Sequence, residues 1–247
     1  MRLLIDIGNT RLKWTVLDGD LPGPQQALAY SKAEITAQLT QLWSALPAVQ
    51  AVYVVSVAEY QLTDAVIGWI EKRWHCPVEV LQTGTHCAGV INGYAEPESL
   101  GTDRWAAMVA AYRLMNSAVC VFDCGTALTC DAIDHRGRHL GGAIVPGKEL
   151  MYRSLLDNTA RIERLEVSQN MTIWGTDTAS CVEAGRLHAT IGFIESAVQH
   201  LQQQLGKPVT AVLTGGDAES LLPWLSVNYR YEANLVLQGI ARIVTEQ

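Results

Sequence analysis

Residues 2–17 set apolar side chains on both sides of a polar break at Gly8-Asn9-Thr10, the pattern of a strand, a tight turn and a returning strand. Gly19, Pro22, Gly23 and Pro24 make the next stretch a loop, and Ile35, Leu39, Leu42 and Leu46 then recur at helical spacing within residues 31–46. A short apolar strand over 52–57, a helix over about 61–74 and a strand at 78–81 follow, so the first half alternates strand and helix. Residues 101–115 predict a helix with Ser99, Thr102 and Asp103 available to cap its start and an apolar face through Trp105, Met108, Val109 and Tyr112.

Residues 118–131 then restate the beginning of the chain. Two apolar residues, Asp, any residue, Gly and a small polar residue occur at Leu4 to Asn9 and again at Val121 to Thr126, close to half the chain length apart. Beyond this second turn come the run Gly141-Gly142-Ala143-Ile144-Val145-Pro146-Gly147, helical segments around 148–156 and 180–205, and a strand at 209–213 ending in Thr214-Gly215-Gly216-Asp217. A last helix over about 234–244 closes the chain. The expected fold class is α/β, as two similar halves at 1–118 and 119–247 with a cleft between them.

Composition narrows what such a fold serves. At 247 residues, with 49% hydrophobic and 17% charged positions, the chain is long and apolar enough to bury real cores. A net charge of -7 repels nucleic acid and anionic membrane, so neither is an expected partner, and any phosphate site must be built locally from backbone N–H groups and a few cations. No apolar run has the length of a signal peptide or a membrane span, which predicts a cytoplasmic protein. The six cysteines form no CxxC pair, and several lie in apolar strand-like stretches where a free Cys packs as a small hydrophobe. The six histidines show no ligand spacing, and the seven scattered tryptophans read as packing residues.

Within this frame Asp6-Ile7-Gly8-Asn9-Thr10-Arg11-Leu12-Lys13 has the parts needed to hold terminal phosphates. Gly8 admits close approach of the backbone, Asn9 and Thr10 add donors, Arg11 or Lys13 adds charge, and Asp6 can orient the waters of Mg²⁺. A hairpin whose Gly and Asn merely satisfy turn geometry accounts for the same residues. The second loop supplies Asp123, Gly125 and the hydroxyls of Thr126 and Thr129, so that two loops could clamp a polyphosphate. Gly215 and Gly216 would leave a flat bed for a purine or ribose, or else serve a plain strand-to-helix turn. Gly101-Thr102-Asp103-Arg104 sets a carboxylate beside a guanidinium at a helix start. Asp103 serves there either as an ordinary cap or as the base that phosphoryl transfer wants at an acceptor hydroxyl.

Taken together these motifs resemble the type III pantothenate kinases, members of the actin, sugar-kinase and heat-shock ATPase superfamily. The resemblance spans the chain and rests on Asp6-x-Gly8-Asn9-Thr10-x-x-Lys13, Tyr94, Gly101-x-Asp103-Arg104, Asp123-x-Gly125-Thr126-Ala127-x-Thr129-x-Asp131, Gly141-Gly142-x-Ile144-x-Pro146-Gly147, Thr178 with Gly185, and Gly215-Gly216-Asp217. It implies two duplicated ribonuclease-H-like, actin-like ATPase domains and ATP-dependent phosphorylation of pantothenate, the first step toward coenzyme A. It further implies ATP bound by Asp6 to Lys13 with Thr126, and Asp103 as proton acceptor. Tyr94, Gly101, Thr102, Asp103, Arg104 and Thr178 would bind pantothenate, Asp123 would hold a monovalent cation, K⁺ or NH₄⁺, and the protein would be a homodimer, to which Trp174 and Ile191 are candidate contributors. Cys124 stands where the family often has Ala, and Asp177 where Asn is common; neither change removes a group the mechanism needs. The competing expectations are another small-molecule kinase or phosphatase on the same fold, since fold and phosphate loops identify the nucleotide better than the acceptor, and a nucleotide-binding regulatory accessory protein.

Overall fold

The computed structural model describes residues 1–47, 49–159 and 173–246, and these described residues form thirteen strands and seven α-helices. In order these are β1 (Arg2–Ile7), β2 (Arg11–Asp18), β3 (Leu21–Pro22), β4 (Gln26–Ala29), α1 (Ile35–Trp43), β5 (Ala51–Ser56), α2 (Tyr60–Trp74), β6 (Val78–Val80), β7 (His86–Cys87), β8 (Val90–Ile91) and α3 (Thr102–Met115). They continue as β9 (Val119–Cys124), β10 (Ala127–Ile133), β11 (His139–Pro146), α4 (Lys148–Asn158), α5 (Thr178–Leu205), β12 (Thr210–Thr214), α6 (Ala218–Leu221), β13 (Tyr229–Tyr231) and α7 (Leu235–Thr245).

The chain divides into two compact units, Met1–Leu114 with Asn234–Gln247, and Met115–Ala233. This differs from the consecutive halves 1–118 and 119–247 chiefly at the end of the chain, where α7 packs against β1, β2, β3 and β5 of the first unit. The reason is the wide apolar face of α7: Leu235, Val236, Leu237, Ile240, Ala241 and Ile243 are all buried, and local pattern alone does not say which sheet covers them.

Both units carry the same sheet topology. In the first the order is β3-β2-β1-β5-β6, with β4 also on β2; in the second it is β11-β10-β9-β12-β13. In each, the first strand pairs antiparallel with the second and parallel with the fourth along the path: β1 with β2 and β5, β9 with β10 and β12. The repeated Asp-x-Gly motif therefore marks the same place, the carboxyl end of the central strand, in a duplicated ribonuclease-H-like architecture.

Central placement follows from sequence, since β1 is buried from Leu3 to Ile7 and β9 is buried at all but Asp123. Leu3, Ile5 and Ile7 pack with Leu12 and Trp14 against Ile35, Leu39 and Trp43 of α1 and Leu62, Val66 and Ile70 of α2. Leu42, expected on the buried face of α1, is exposed, because the larger ring of Trp43 draws that face around the helix. Tryptophans distant in sequence converge here. The ring of Trp43 lies 5.5 Å from Trp14, 5.7 Å from Trp69 and 5.7 Å from Trp74, each such pair adding about 0.5–1.5 kcal/mol beyond its buried area.

Helix α3 is buried continuously from Arg104 to Ala111, so the predicted face of Trp105, Met108 and Val109 is only part of a helix enclosed on all sides. In the second unit Cys120, Phe122, Cys124 and Cys130 form a core with Leu187, Ile194, Val198 and Leu201 of α5, so these three cysteines do pack as small hydrophobes. A capping box between Asp177 and Ser180 starts α5, and Gly206 in the left-handed conformation ends it. Among the described residues no helix is long and apolar enough to cross a membrane.

Candidate active site

The first unit builds a phosphate-loop candidate on the β1–β2 hairpin. Asp6 faces Lys13 across the ladder, with Lys13 Nζ 3.7 Å from Asp6 Oδ2 and both side chains largely buried. The Gly8 N–H donates to the Arg11 carbonyl at 3.0 Å, and the Gly8 carbonyl accepts from the Tyr30 hydroxyl at 2.7 Å. Both polar groups of Gly8 are thus fixed, while Asn9, Thr10 and Arg11 are exposed at the tip. Sequence reasoning missed Tyr30, because a side chain bonded to a carbonyl so far back in the chain has no spacing signature. Burial, and then the charge of Glu59, raise the Tyr30 pKa, so the phenol remains a donor at neutral pH.

The first turn of α3 is bonded to the end of β5, the parallel neighbour of β1. Val57 N–H donates to the Ile7 carbonyl at 3.1 Å, and the Thr102 hydroxyl donates to the Ser56 carbonyl at 3.4 Å. Asp103 accepts the Arg104 N–H at 2.7 Å through Oδ1, and a Cβ on Gly101 would stand 2.7 Å from that oxygen. A side chain at 101 would therefore make the Asp103 carboxylate turn from this position. Arg104 is only 9% exposed, yet its Nη1 donates to the Tyr94 hydroxyl at 3.1 Å and its Cζ lies 5.8 Å from the Tyr94 ring centre.

Asn92, also absent from the sequence reading, pins the irregular segment that carries Tyr94. Its Nδ2 donates to the carbonyls of Gly84 at 3.1 Å and Pro97 at 3.3 Å, and its Oδ1 accepts the Tyr94 N–H at 3.0 Å. One side chain thereby bonds three backbone groups of an irregular segment, the Pro97 carbonyl sharing its acceptor capacity with the Leu100 N–H at 3.2 Å. The Asn-Gly-Tyr sequence offers only a generic turn signal for this.

The second unit assembles three glycine-bearing loops. Asp123 lies opposite Thr129 and beside Thr214, and the turn closes through the Gly125 N–H on the Ala127 carbonyl at 3.0 Å. A Cβ on Gly147 would fall 2.2 Å from the Gly125 carbonyl oxygen. One on Gly215, whose φ is +94°, would fall 2.4 Å from Asp123 Oδ1 and 2.5 Å from the Cys124 oxygen. Asp217 N–H completes the contact by donating to the Cys124 carbonyl at 3.0 Å. These glycines allow backbone to lie on backbone around Asp123, while Thr126 and Gly216 remain exposed. Burial, with the charges of Asp123 and Asp217 behind it, pushes the Cys124 thiol far up, so the sulfur packs as an inert neutral group.

Thr178 opens α5 and lines an open depression of about 580 Å³ with Leu155, Gly175, Thr176, Asp177 and Cys181. Asp177, in place of the more usual Asn, accepts the Ser180 N–H at 2.9 Å and Ser180 Oγ at 2.9 Å; these bonds hold its carboxyl below the usual range. Asp6, Gly8, Asn9, Thr10, Arg11, Lys13, Tyr94, Gly101, Thr102, Asp103 and Arg104 thus belong to the first unit, and Asp123, Gly125, Thr126, Thr178, Gly215 and Gly216 to the second.

The family model of the type III pantothenate kinases matches residues 2–200. The type III pantothenate kinase of Nitrosococcus oceani is 34% identical over all of this chain and 94% of its own length, and that of Laribacter hongkongensis is 36% identical over 98% of each. A solved structure from Campylobacter jejuni, described as a conserved Baf family transcriptional activator, aligns over 99% of this chain and 98% of its own with a TM-score of 0.63 and 20% identity. At that identity the likeness speaks for the fold alone.

Proposed function

The chain belongs to the type III pantothenate kinases, ATP-dependent enzymes that phosphorylate pantothenate on the way to coenzyme A, and we propose that the two hairpin loops and the first turn of α3 divide that reaction between them. The observation that carries this assignment is within the first unit. A glycine loop with Lys13 ends β1, and the α3 turn presenting Asp103 and Arg104 is bonded to the end of the adjacent strand β5.

In this reading Asp6 to Lys13, with Gly125 and Thr126, hold the phosphates of ATP, and Gly215 and Gly216 flank its purine or ribose. Tyr94, Gly101, Thr102, Arg104 and Thr178 hold pantothenate, the buried guanidinium being suited to a carboxylate. Asp103 takes the hydroxyl proton as that oxygen bonds to the γ-phosphorus and the bond to the bridging oxygen of ADP breaks. Among the described residues no three His, Cys, Asp or Glu side chains cluster as a metal cage. This suits Mg²⁺ arriving with the nucleotide, its waters oriented by Asp6. Lys13 answers Asp6 across the first hairpin, whereas Thr129 answers Asp123 across the second. The carboxylate of Asp123 and the carbonyls of its loop are oxygen ligands suited to a weakly hydrated monovalent ion, which would offset phosphate charge at the second loop.

The test is ATP-dependent turnover of pantothenate, with the product identified by mass, in K⁺, NH₄⁺ and Na⁺ at constant ionic strength. Formation of phosphopantothenate, at a rate several-fold higher in K⁺ or NH₄⁺ than in Na⁺ and with that difference lost in Asp123→Asn, is the expected result. Equal rates in Na⁺ would reassign Asp123 to Mg²⁺; phosphorylation of sugars or acetate instead of pantothenate would overturn the acceptor.

A homodimer in the cytoplasm completes the proposal. In the second unit Trp174 is 81% and Ile144 60% exposed, and Leu140, Leu150 and Leu155 add further exposed apolar surface. Ile191 does not join them, since it packs inward on the core beneath α5. Light scattering at micromolar concentration should give twice the chain mass, and Trp174→Ser should shift it toward a monomer with weaker activity; a fully active monomer would contradict this.

A further inference from the structure

Along α3 the helix rises about 15 Å between Asp103 and Arg113, away from the loops assigned above. There Arg113 and Leu114, with Asp20 from the β2–β3 turn and Asn234, Gln238 and Arg242 of the α7 segment, line a cavity of about 430 Å³ that lies wholly within the first unit. We propose that this cavity is a binding site for a small phosphate monoester, its phosphate held between Arg113 and Arg242.

The charges carry the argument. Neither guanidinium has a hydrogen-bond or ion-pair partner among the described residues, although the chain has 25 acidic side chains to 18 basic ones. Two forked donors opening on one concavity match the oxygens of a phosphate better than any single carboxylate. Each arginine stands in the last turn of its helix, where a cation offsets the terminal carbonyls. That explains each residue separately, but not why the two share a cavity whose volume is in the range of small-ligand sites.

The remaining lining defines the rest of the ligand. Gln238 Nε2 donates to Asn234 Oδ1 at 2.6 Å, which orders both amides, and the Asp20 carboxylate lies 3.9 Å from Arg2. Amides and a carboxylate beside two guanidinium groups suit a ligand that bears hydroxyl or amine donors as well as its phosphate. The place also has consequences. Leu114 and Asn234 are the residues at which the chain leaves and re-enters the first unit, so an occupant would touch both crossings. The kinase reading is not needed for this inference.

Isothermal titration separates this site from the nucleotide loops if these are first filled with Mg²⁺ and a non-hydrolysable ATP analogue. Glycerol 3-phosphate is then expected to bind at one further site per chain, more tightly than inorganic phosphate. Arg113→Gln and Arg242→Gln should each weaken it on the order of tenfold, as befits loss of a charged hydrogen bond, and the pair should abolish it. Lys13→Met should leave it unchanged. Unaltered binding in the double variant, or no binding by the wild-type chain, overturns the proposal. So does a loss of melting temperature in the arginine variants that is identical with and without glycerol 3-phosphate, because it would show that the arginines serve only their helices.

Discussion

Replacing Asp103 by Asn is expected to lower turnover of pantothenate by about a hundredfold or more while leaving the melting temperature and ATP affinity nearly unchanged. Asparagine keeps the size of the side chain and an oxygen that can accept the Arg104 N–H, now bonded at 2.7 Å, so the first turn of α3 should survive intact. The variant loses a group that can take the hydroxyl proton at the moment of transfer. The alternative role, a carboxylate favouring a helix N-terminus, contributes only about 0.3–1 kcal/mol and acts on stability rather than on the chemical step. The two accounts therefore separate on different instruments: steady-state kinetics for the base, calorimetry for the cap. Near-normal turnover in a variant melting a few degrees lower would assign Asp103 to the helix and leave the reaction without its proposed base.

How much of this was legible beforehand depended on whether the determining interactions were local. The β1–β2 and β9–β10 hairpins were readable because burial of the central strands leaves polar residues only at their turns, and α5 because its apolar positions recur within its own segment, although its cap at Asp177 went unread. The two-residue strands β3, β7 and β8 offer too few positions for any alternation to register. The destination of α7 was hidden for a different reason, since its apolar face is obvious but the sheet it covers begins at the other end of the chain. The site divides in the same way. Asp6, Asp103 and Asp123 belong to short motifs. Tyr30 and Asn92 act through single bonds to backbone carbonyls at Gly8, Gly84 and Pro97, which no period or spacing announces. Gly147 and Gly215 were visible as glycines, but the need for them, a neighbouring backbone within van der Waals distance, exists only in three dimensions.

The same reasoning gives the largest structural effect expected of a conservative change, Gly239→Ala in α7. Two terms of opposite sign compete. Within a helix, alanine is favoured over glycine by about 0.8–1 kcal/mol, so on propensity alone the variant should be the more stable protein. A Cβ at this position, however, would stand 1.9 Å from the carbonyl oxygen of Ala106, 2.4 Å from its carbonyl carbon and 2.8 Å from its Cα, all backbone atoms of α3. Backbone cannot rotate aside as a side chain would. The helices must instead part by more than an ångström, while α3 is buried from Arg104 to Ala111 and has no open side to move into. Overpacking of this kind costs about 1–3 kcal/mol and occasionally more, and with no flexible partner the upper end applies. The net expectation is a loss of about 2 kcal/mol, which in a protein of this size lowers the melting temperature by roughly 4–8 °C. Because α3 carries Asp103 and Arg104, its displacement should also raise KM for pantothenate. Gly68 in α2 and Gly192 in α5 are the controls: a Cβ at either meets nothing within 4 Å, so alanine there should be neutral or stabilise by up to about 1 kcal/mol. Calorimetry on the three variants decides the matter. If Gly239→Ala melts with the controls at or above the wild-type temperature, the α3–α7 crossing yields cheaply, and close approach is not the reason for glycine at 239.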